Sequence, residues 1–194
     1  MENILVVEKT ILEAAGFADK PGFFTGDSSV VLRAVRDRHI FMRRDLCETD
    51  YDYKQIIPYT VVRHGNSYLL MKRLPKQGET RLHGLLSIGV GGHINDTEDG
   101  GDIILSGALR ELAEEVYVPH AGQPVFMGLL NDSDTDVGRV HLGAVYLLEA
   151  DGGNFEVNEK DKMEARWATA GELQTLTDAM EGWSRILMES GFIC

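Results

Sequence analysis

The sequence is poor in cysteine, in positive charge and in long apolar runs, and each shortage removes a class of protein. Two cysteines occur, Cys47 and Cys194, far apart and with no metal or redox spacing. A disulfide scaffold is thereby excluded, and both read as reduced thiols of a cytoplasmic protein. The net charge of −12 argues against a general nucleic-acid binder, which needs a basic surface to displace counterions, so no nucleic acid duplex is expected as a partner. A small phosphate-bearing substrate stays compatible, provided metal and local Lys or Arg reverse the field. No stretch approaches the ~20 apolar residues of a membrane helix, and no membrane partner is expected. The opening residues, Met-Glu-Asn-Ile-Leu-Val-Val-Glu-Lys, lack the basic start and apolar run of a signal peptide. Internal repeats, low-complexity segments and a nucleophile-elbow motif are also missing.

What is present begins with ordinary globular values, 43% hydrophobic and 26% charged over 194 residues. That length suits one domain with a full core, or one domain carrying an extension. The most informative stretch is Arg-Glu-Leu-Ala-Glu-Glu-Val-Tyr-Val at 110–118, which follows a glycine loop, Gly-Val-Gly-Gly-His, at 89–93. On a helix turning about 100° per residue, Glu111, Glu114 and Glu115 fall within an arc of roughly 100°. Leu105, Leu109, Leu112 and Val116 form a second arc centred ~140° away, as an amphipathic helix requires. The spacing predicts a helix from about Ile104 to Tyr117, with three carboxylates on the face the core does not use. Like charges at this spacing repel. A hard divalent cation with oxygen ligands converts that repulsion into affinity, and Mg²⁺ takes a few carboxylates plus substrate phosphate oxygens. A glutamate pair alone is more often a solvated face; its surroundings raise it above that.

Those surroundings resemble the Nudix box, G-x5-E-x7-R-E-U-x-E-E-x-G-U, where U is a bulky aliphatic residue. Gly92 takes the first glycine, Asp102 the isolated Glu, Arg110-Glu111-Leu112 the R-E-U, Glu114-Glu115 the E-E and Val118 the last aliphatic. Three departures stand out. Four extra residues lengthen the loop between Gly92 and Asp102. Asp102 replaces a Glu that in this family supports the Arg. Tyr117 replaces the glycine that ends the helix in a left-handed turn, and Pro119 is expected to stop it instead. The loop from Ile94 to Gly101 is expected to be exposed and to lie beside the metal site.

The resemblance to the Nudix (MutT-like) hydrolases implies an α/β/α sandwich with a mixed sheet between helices over residues 55–194, and an N-terminal extension, residues 1–54, packed on it. The periodicities fit that picture. Ile4–Val7 suits a short strand, Asp27 could cap a helix over 28–38 with Val30, Val31 and Val35 inward, and Ile40–Arg43 looks extended. Ile56–Arg63 and Tyr68–Arg73 read as strands joined at His64-Gly65-Asn66-Ser67. Leu85–Val90, Val125–Leu130, Val140–Leu148 and a strand closed by Arg166-Trp167 follow. Thr169–Met188 reads as one terminal helix with Leu173, Leu176, Met180, Trp183 and Leu187 on one face.

As activity, the resemblance implies Mg²⁺- or Mn²⁺-dependent hydrolysis of a nucleoside diphosphate linked to another moiety. It implies metal held by Glu111, Glu115, Glu114 and the Gly91 carbonyl, and catalysis by Glu115 and Glu114 with Arg110 orienting the glutamates. Arg73, Lys76 and Arg81 lie where diphosphates are held in relatives. Arg73, Arg81, Gly92 and His93 are therefore the candidate substrate-binding residues, weighed against ordinary surface. Glu156, Glu159, Asp161 and Glu164 cluster where some relatives place an extra ligand or base, and the chain gives no means of choosing among them. The rival reading is a non-catalytic Nudix-fold protein that senses a nucleotide. A cysteine-dependent isoprenoid isomerase is remote, because Cys47 and Cys194 lie outside the core strands. A homodimer is one assembly the chain allows.

Other features carry blander readings. Asp132-Ser133-Asp134-Thr135-Asp136 fails the EF-hand pattern, with Val137 for the required Gly and Gly143 for the closing Glu, and reads as a polar hairpin turn. His83 and His141 read as structural. Arg33, Arg36, Arg38, Arg43 and Arg44 read as a solvated basic face rather than a phosphate patch.

Overall fold

The computed structural model describes residues 2–74, 84–97, 101–120 and 122–194. The elements, in chain order, are β1 (Asn3–Glu8), α1 (Lys9–Ala14), β2 (Gly22–Phe24), α2 (Ser28–Arg38), β3 (Ile40–Arg43) and α3 (Arg44–Cys47). Then come β4 (Tyr53–His64), β5 (Ser67–Arg73), β6 (Leu86–Ser87), β7 (Gly89–Gly91), α4 (Ile103–Glu115), β8 (Val116–Tyr117) and β9 (Val125–Asn131). The chain closes with α5 (Asp136–Val140), β10 (His141–Glu149), β11 (Glu156–Val157), β12 (Met163–Thr169), α6 (Ala170–Thr175) and α7 (Gly182–Glu189).

Among the described residues ten strands join one mixed sheet whose main path runs β12-β5-β4-β10-β9-β2. Its centre, β4 beside β10, is parallel; the flanking pairs are antiparallel. Both strands are buried on both faces, and alternation along them divides the core. Ile56, Leu142, Ala144 and Tyr146 meet Ile104 and Ala108 of α4 together with Leu12, Val31, Leu32 and Val35 of the first two helices. Tyr59, Val61 and Val145 face the other way, towards Leu173, Met180 and Leu187. Helices therefore cover both faces of a mixed sheet, as expected.

The N-terminal segment is woven into that sheet. β1 pairs with β3 and β4, and β2 pairs with β9. Beneath it Lys54 is fully buried, its Nζ donating to Asn131 Oδ1 at 2.9 Å and to the Gly138 carbonyl at 3.0 Å, 3.1 Å from Asp19 Oδ1. Burial pulls the Lys54 ammonium below its usual range, and Asp19 works against that. Asp19 keeps Lys9 as a second partner. Lys54→Met should therefore lower the free energy of unfolding by about 2 kcal/mol, read as a shift of the urea midpoint. An unchanged midpoint would show that the buried ion is dispensable.

Several elements depart from the expectations. Helix α4 stops at Glu115, two residues early, because Val116 is extended (φ −143°, ψ 128°) and pairs with Val157. Tyr117 thus lies in a strand, and Pro119 is not what ends the helix. The buried line of α4 is Ile104, Gly107, Ala108 and Leu112, while Leu105 and Leu109 are only half-buried. In α2, Val30 is exposed and Leu32 is buried in its place. The strand expected at Leu85–Val90 is broken at Ile88. The terminal helix is divided: Thr177–Ala179 is a 3-10 turn, Met180 is extended, and the Glu181 side chain caps a fresh helix. Residues Asp132–Asp136 form a turn that runs into α5 rather than a simple hairpin. Among the described residues no helix is long and apolar enough to cross a membrane.

Candidate active site

β7 ends at Gly91, and the chain crosses beneath α4 at Gly92. A Cβ at Gly92 would lie 2.3 Å from the Glu111 carboxyl carbon, so any side chain there would push that carboxylate out of its place. Gly92→Ala is accordingly expected to displace Glu111 and weaken Mn²⁺ binding by about tenfold or more, with the circular dichroism spectrum unchanged. Arg110 ties loop to helix. Its Nη2 donates to the His93 carbonyl at 2.7 Å, and its Nη1 lies 2.9 Å from Glu111 Oε1 and 3.0 Å from Glu114 Oε1.

The three glutamates of that helix differ in exposure. The Glu114 side chain is 57% exposed and turned to Arg110. Glu111 is mostly covered. Glu115 is 8% exposed, because α4 ends there and its last turn is covered by the segment at Asn158, whose N–H donates to the Glu115 carbonyl. One carboxylate oxygen of Glu115 lies 3.6 Å from Arg73 Nη1; the other is buried with no hydrogen-bond partner. Burial pushes its carboxyl up to about 7, with the Arg73 charge opposing and those of Glu111 and Glu159 reinforcing. Among the described residues no three Asp, Glu, His or Cys side chains stand ready-gathered around a metal position. The orphaned oxygen of Glu115 and the glycine cradle of Glu111 are nonetheless what a cation would satisfy.

Glu115, Arg73, Gly91, Gly92 and His93 line one cleft of about 590 Å³, within the range of small-molecule sites. Tyr59, Trp183, Asp132, His141, Glu181 and Arg44 line it too, with His141 5.6 Å from His93 between ring centroids. Sequence reasoning passed over these residues or assigned them to a turn, a structural histidine and a solvated face. Nothing in the local pattern of Arg44, Asp132 or His141 distinguishes them; the folding of distant segments brings them to the cleft. Arg81, like Lys76, His83, Glu98 and Asp99, lies outside the described residues. Of the four late carboxylates, Glu159 is the one whose charge reaches Glu115, while it bonds Lys162 at 2.5 Å. Glu156 pairs with Lys160, and Asp161 and Glu164 are exposed.

His93 is held as a neutral ring. Burial, with the charges of Arg44 and His141, pulls its pKa down to about 3. Gln55 donates its amide to the Cys47 carbonyl, which leaves its Oε1 to accept from His93 Nε2 at 2.9 Å. The network therefore assigns the proton to Nε2.

Comparison with known proteins adds the lineage. No family model matches the chain. Protein YmaB of Bacillus subtilis (strain 168) is 33% identical over 178 residues, spanning 87% of this chain and 86% of YmaB. Tm1382, a suspected Nudix hydrolase, shares 35% identity and superposes with a TM-score of 0.82 over 97% of each chain. The chain belongs to the Nudix hydrolase family. The Nudix domain of Shewanella oneidensis NrtR, solved in complex with ADP-ribose, shows the same fold at a TM-score of 0.53 and 18% identity, over 72% of this chain and 86% of that one.

The departures from the Nudix box now have physical accounts. Asp102 does not support Arg110. Its carboxylate takes a two-pronged bond from Arg36 of α2, at 3.1 and 2.6 Å, and caps α4 by accepting from the Leu105 N–H. The shorter acid suits a cap, and the N-terminal segment supplies the cation. Of the longer Nudix loop, Asp96, Thr97 and Gly101 are exposed as expected, while its first residues are tied to the N-terminal segment. Ile94 is fully buried, Asn95 bridges to Ile4, and Asp96 accepts from the Asn3 side chain. Residues 95 and 96 thus meet β1, and residues 98–100 lie outside the described residues.

Proposed function

We propose that this Nudix protein is a metal-dependent pyrophosphohydrolase that cleaves a phosphoanhydride bond in a nucleoside diphosphate linked to another moiety. The observation that carries the reading is the buried, half-orphaned Glu115 carboxylate at the edge of the cleft, beside Glu111 and the Gly91 backbone. Mg²⁺ or Mn²⁺ would be held by Glu115, Glu111 and the Gly91 carbonyl, with phosphate oxygens and water completing its shell. Bound there, it supplies charge neutralisation of the diphosphate and a lowered pKa for a coordinated water.

The protein's own groups do the rest. Arg110 holds Glu111 against the glycine loop through charge-assisted bonds. Glu114, turned outward, serves by balancing Arg110 rather than by touching the cation. Arg73 neutralises Glu115 before substrate arrives and is placed to bind phosphate oxygens afterwards. Neutral His93 keeps a ring beside the diphosphate without adding charge. The NrtR domain's ADP-ribose complex supports a nucleotide-derived ligand in this fold.

The test is a panel of nucleotides, dinucleoside polyphosphates, ADP-ribose and NADH, with products separated chromatographically in Mg²⁺, Mn²⁺ or EDTA. At least one compound should be cleaved with either metal and none with EDTA. Cleavage of nothing in the panel would overturn the hydrolase reading and leave a nucleotide sensor.

A further inference from the structure

The seam between α4 and the glycine loop has no slack. A Cβ on Gly107 of α4 would come within 2.8 Å of Ile94 Cγ1, just as one on Gly92 would strike the Glu111 carboxylate. Between these two close approaches Arg110 ties helix to loop. Its guanidinium donates to the His93 carbonyl at 2.7 Å and stands 2.9 Å from Glu111 Oε1. Packing this tight passes a displacement of one partner on to the other. The place of Glu111 therefore depends on what fixes His93 and Ile94 on one side and α4 on the other.

Both sides are held by the N-terminal segment. On the loop side, the Leu5 N–H of β1 donates to the Ile94 carbonyl at 2.8 Å, and the Asn3 side chain donates to Asp96 Oδ2 at 2.8 Å. The His93 ring bonds Gln55, whose own amide reaches the Cys47 carbonyl of α3. On the helix side, Arg36 of α2 grips Asp102, the residue that caps α4, with two prongs at 3.1 and 2.6 Å. This pair is partly solvent-exposed, and such pairs contribute little to global stability. A two-pronged guanidinium contributes geometry instead, because two parallel bonds fix orientation as well as distance.

We propose that the N-terminal segment positions the metal-binding carboxylates, with Arg36 as the positioning residue. Arg36 does not line the cleft. It holds the Asp102 end of α4 against a loop that β1 holds from the other side, and so keeps Glu111 seated over Gly92. The inference rests on the metal reading above and adds the N-terminal segment to the machinery of the site.

The sign of the Arg36 charge makes the test discriminating. Arg36→Met removes a positive charge, which by Coulomb's law alone tightens cation binding. Weaker binding therefore reports lost geometry. The experiment is titration of the full-length protein with Mn²⁺, the free ion being read by electron paramagnetic resonance, at a temperature where circular dichroism shows every variant folded. Arg36→Met should bind Mn²⁺ about tenfold more weakly than wild type, with a urea midpoint close to the wild-type one. Arg166→Met removes the same charge from an exposed pair with Glu172 at 2.7 Å, and should bind no more weakly than wild type. Asp102→Asn keeps a capping side chain but loses the ion pair, and should also weaken binding. The double variant should be no worse than the weaker single, because both substitutions break one contact. Arg36→Met that binds Mn²⁺ as tightly as wild type, whatever its urea midpoint, overturns the positioning role, as does a double variant in which the losses add. Wild-type protein that binds no Mn²⁺ overturns the metal reading itself and this inference with it.

Discussion

Glu115→Gln is expected to lower turnover of whichever diphosphate the protein cleaves by roughly 10² to 10⁴, the scale of a major electrostatic contact in a water-poor site. Glu115 sits at the last residue of α4, one oxygen near Arg73 and the other buried without a partner. The amide has almost the same shape but half the acceptors and no charge. It leaves Arg73 uncompensated and weakens the grip on a divalent cation. The defect should fall chiefly on kcat at saturating metal, and excess Mn²⁺ should recover only part of it. A Glu115→Gln protein with wild-type turnover would remove Glu115 from the chemistry altogether.

The same substitution should act in the opposite direction on stability. The folded protein holds the Glu115 carboxyl at about 7, against 4.5 for an unperturbed one. A raised folded-state value means that the group's contribution is fully present below the unfolded value and is lost as pH rises through the folded one. Metal-free wild type should therefore lose about 3 kcal/mol through this group between roughly pH 4.5 and pH 7 and above. Glutamine carries no such charge. At about pH 5 the two proteins should unfold at similar urea concentrations, and at about pH 8 the metal-free variant should be the more stable by most of that difference. Equal stability at both pH values would mean that Glu115 is solvated rather than buried.

Legibility of this fold in the sequence followed the range of the forces involved. The hairpin of β4 and β5, strand β1 and the presence of helix α4, though not its buried line, were readable because alternation, a Gly-Asn turn and a 3.6-residue stripe are local signals. Gly65 indeed takes positive φ at that turn. The break between α6 and α7 was not readable. Leu173, Met180 and Leu187 keep one-face spacing across it and are all buried, and the capping carboxylate of Glu181 looks like any surface acid. The end of α4 at Glu115 was decided by a pairing with Val157, forty-one positions after Val116, which no window on the helix contains.

The site was legible in part for the same reason. Glu111, Arg110 and the glycine loop lie within one short motif whose spacing survives in the sequence. That Glu115 alone would be buried depends on the segment at Asn158 closing over it. Arg44, Asp132 and Trp183 reach the cleft from an N-terminal helix, the turn before α5 and the C-terminal helix. Each is ordinary in its own neighbourhood. The partner of Asp102 was misread because the motif suggested a nearby Arg, whereas the fold brings Arg36 from sixty-six residues away.

The most direct test of Glu115 as the centre of a metal site is calorimetric titration of Mn²⁺ in pairs of buffers with different ionisation enthalpies, which counts the protons released on binding. Because the metal-free protein holds the Glu115 carboxyl at about 7, Mn²⁺ should displace about one proton at roughly pH 6 and almost none at roughly pH 8. Glu115→Gln should bind more weakly and release none at either pH. Mn²⁺ binding at the lower pH with no proton release, or with the same release in Glu115→Gln, would contradict the account.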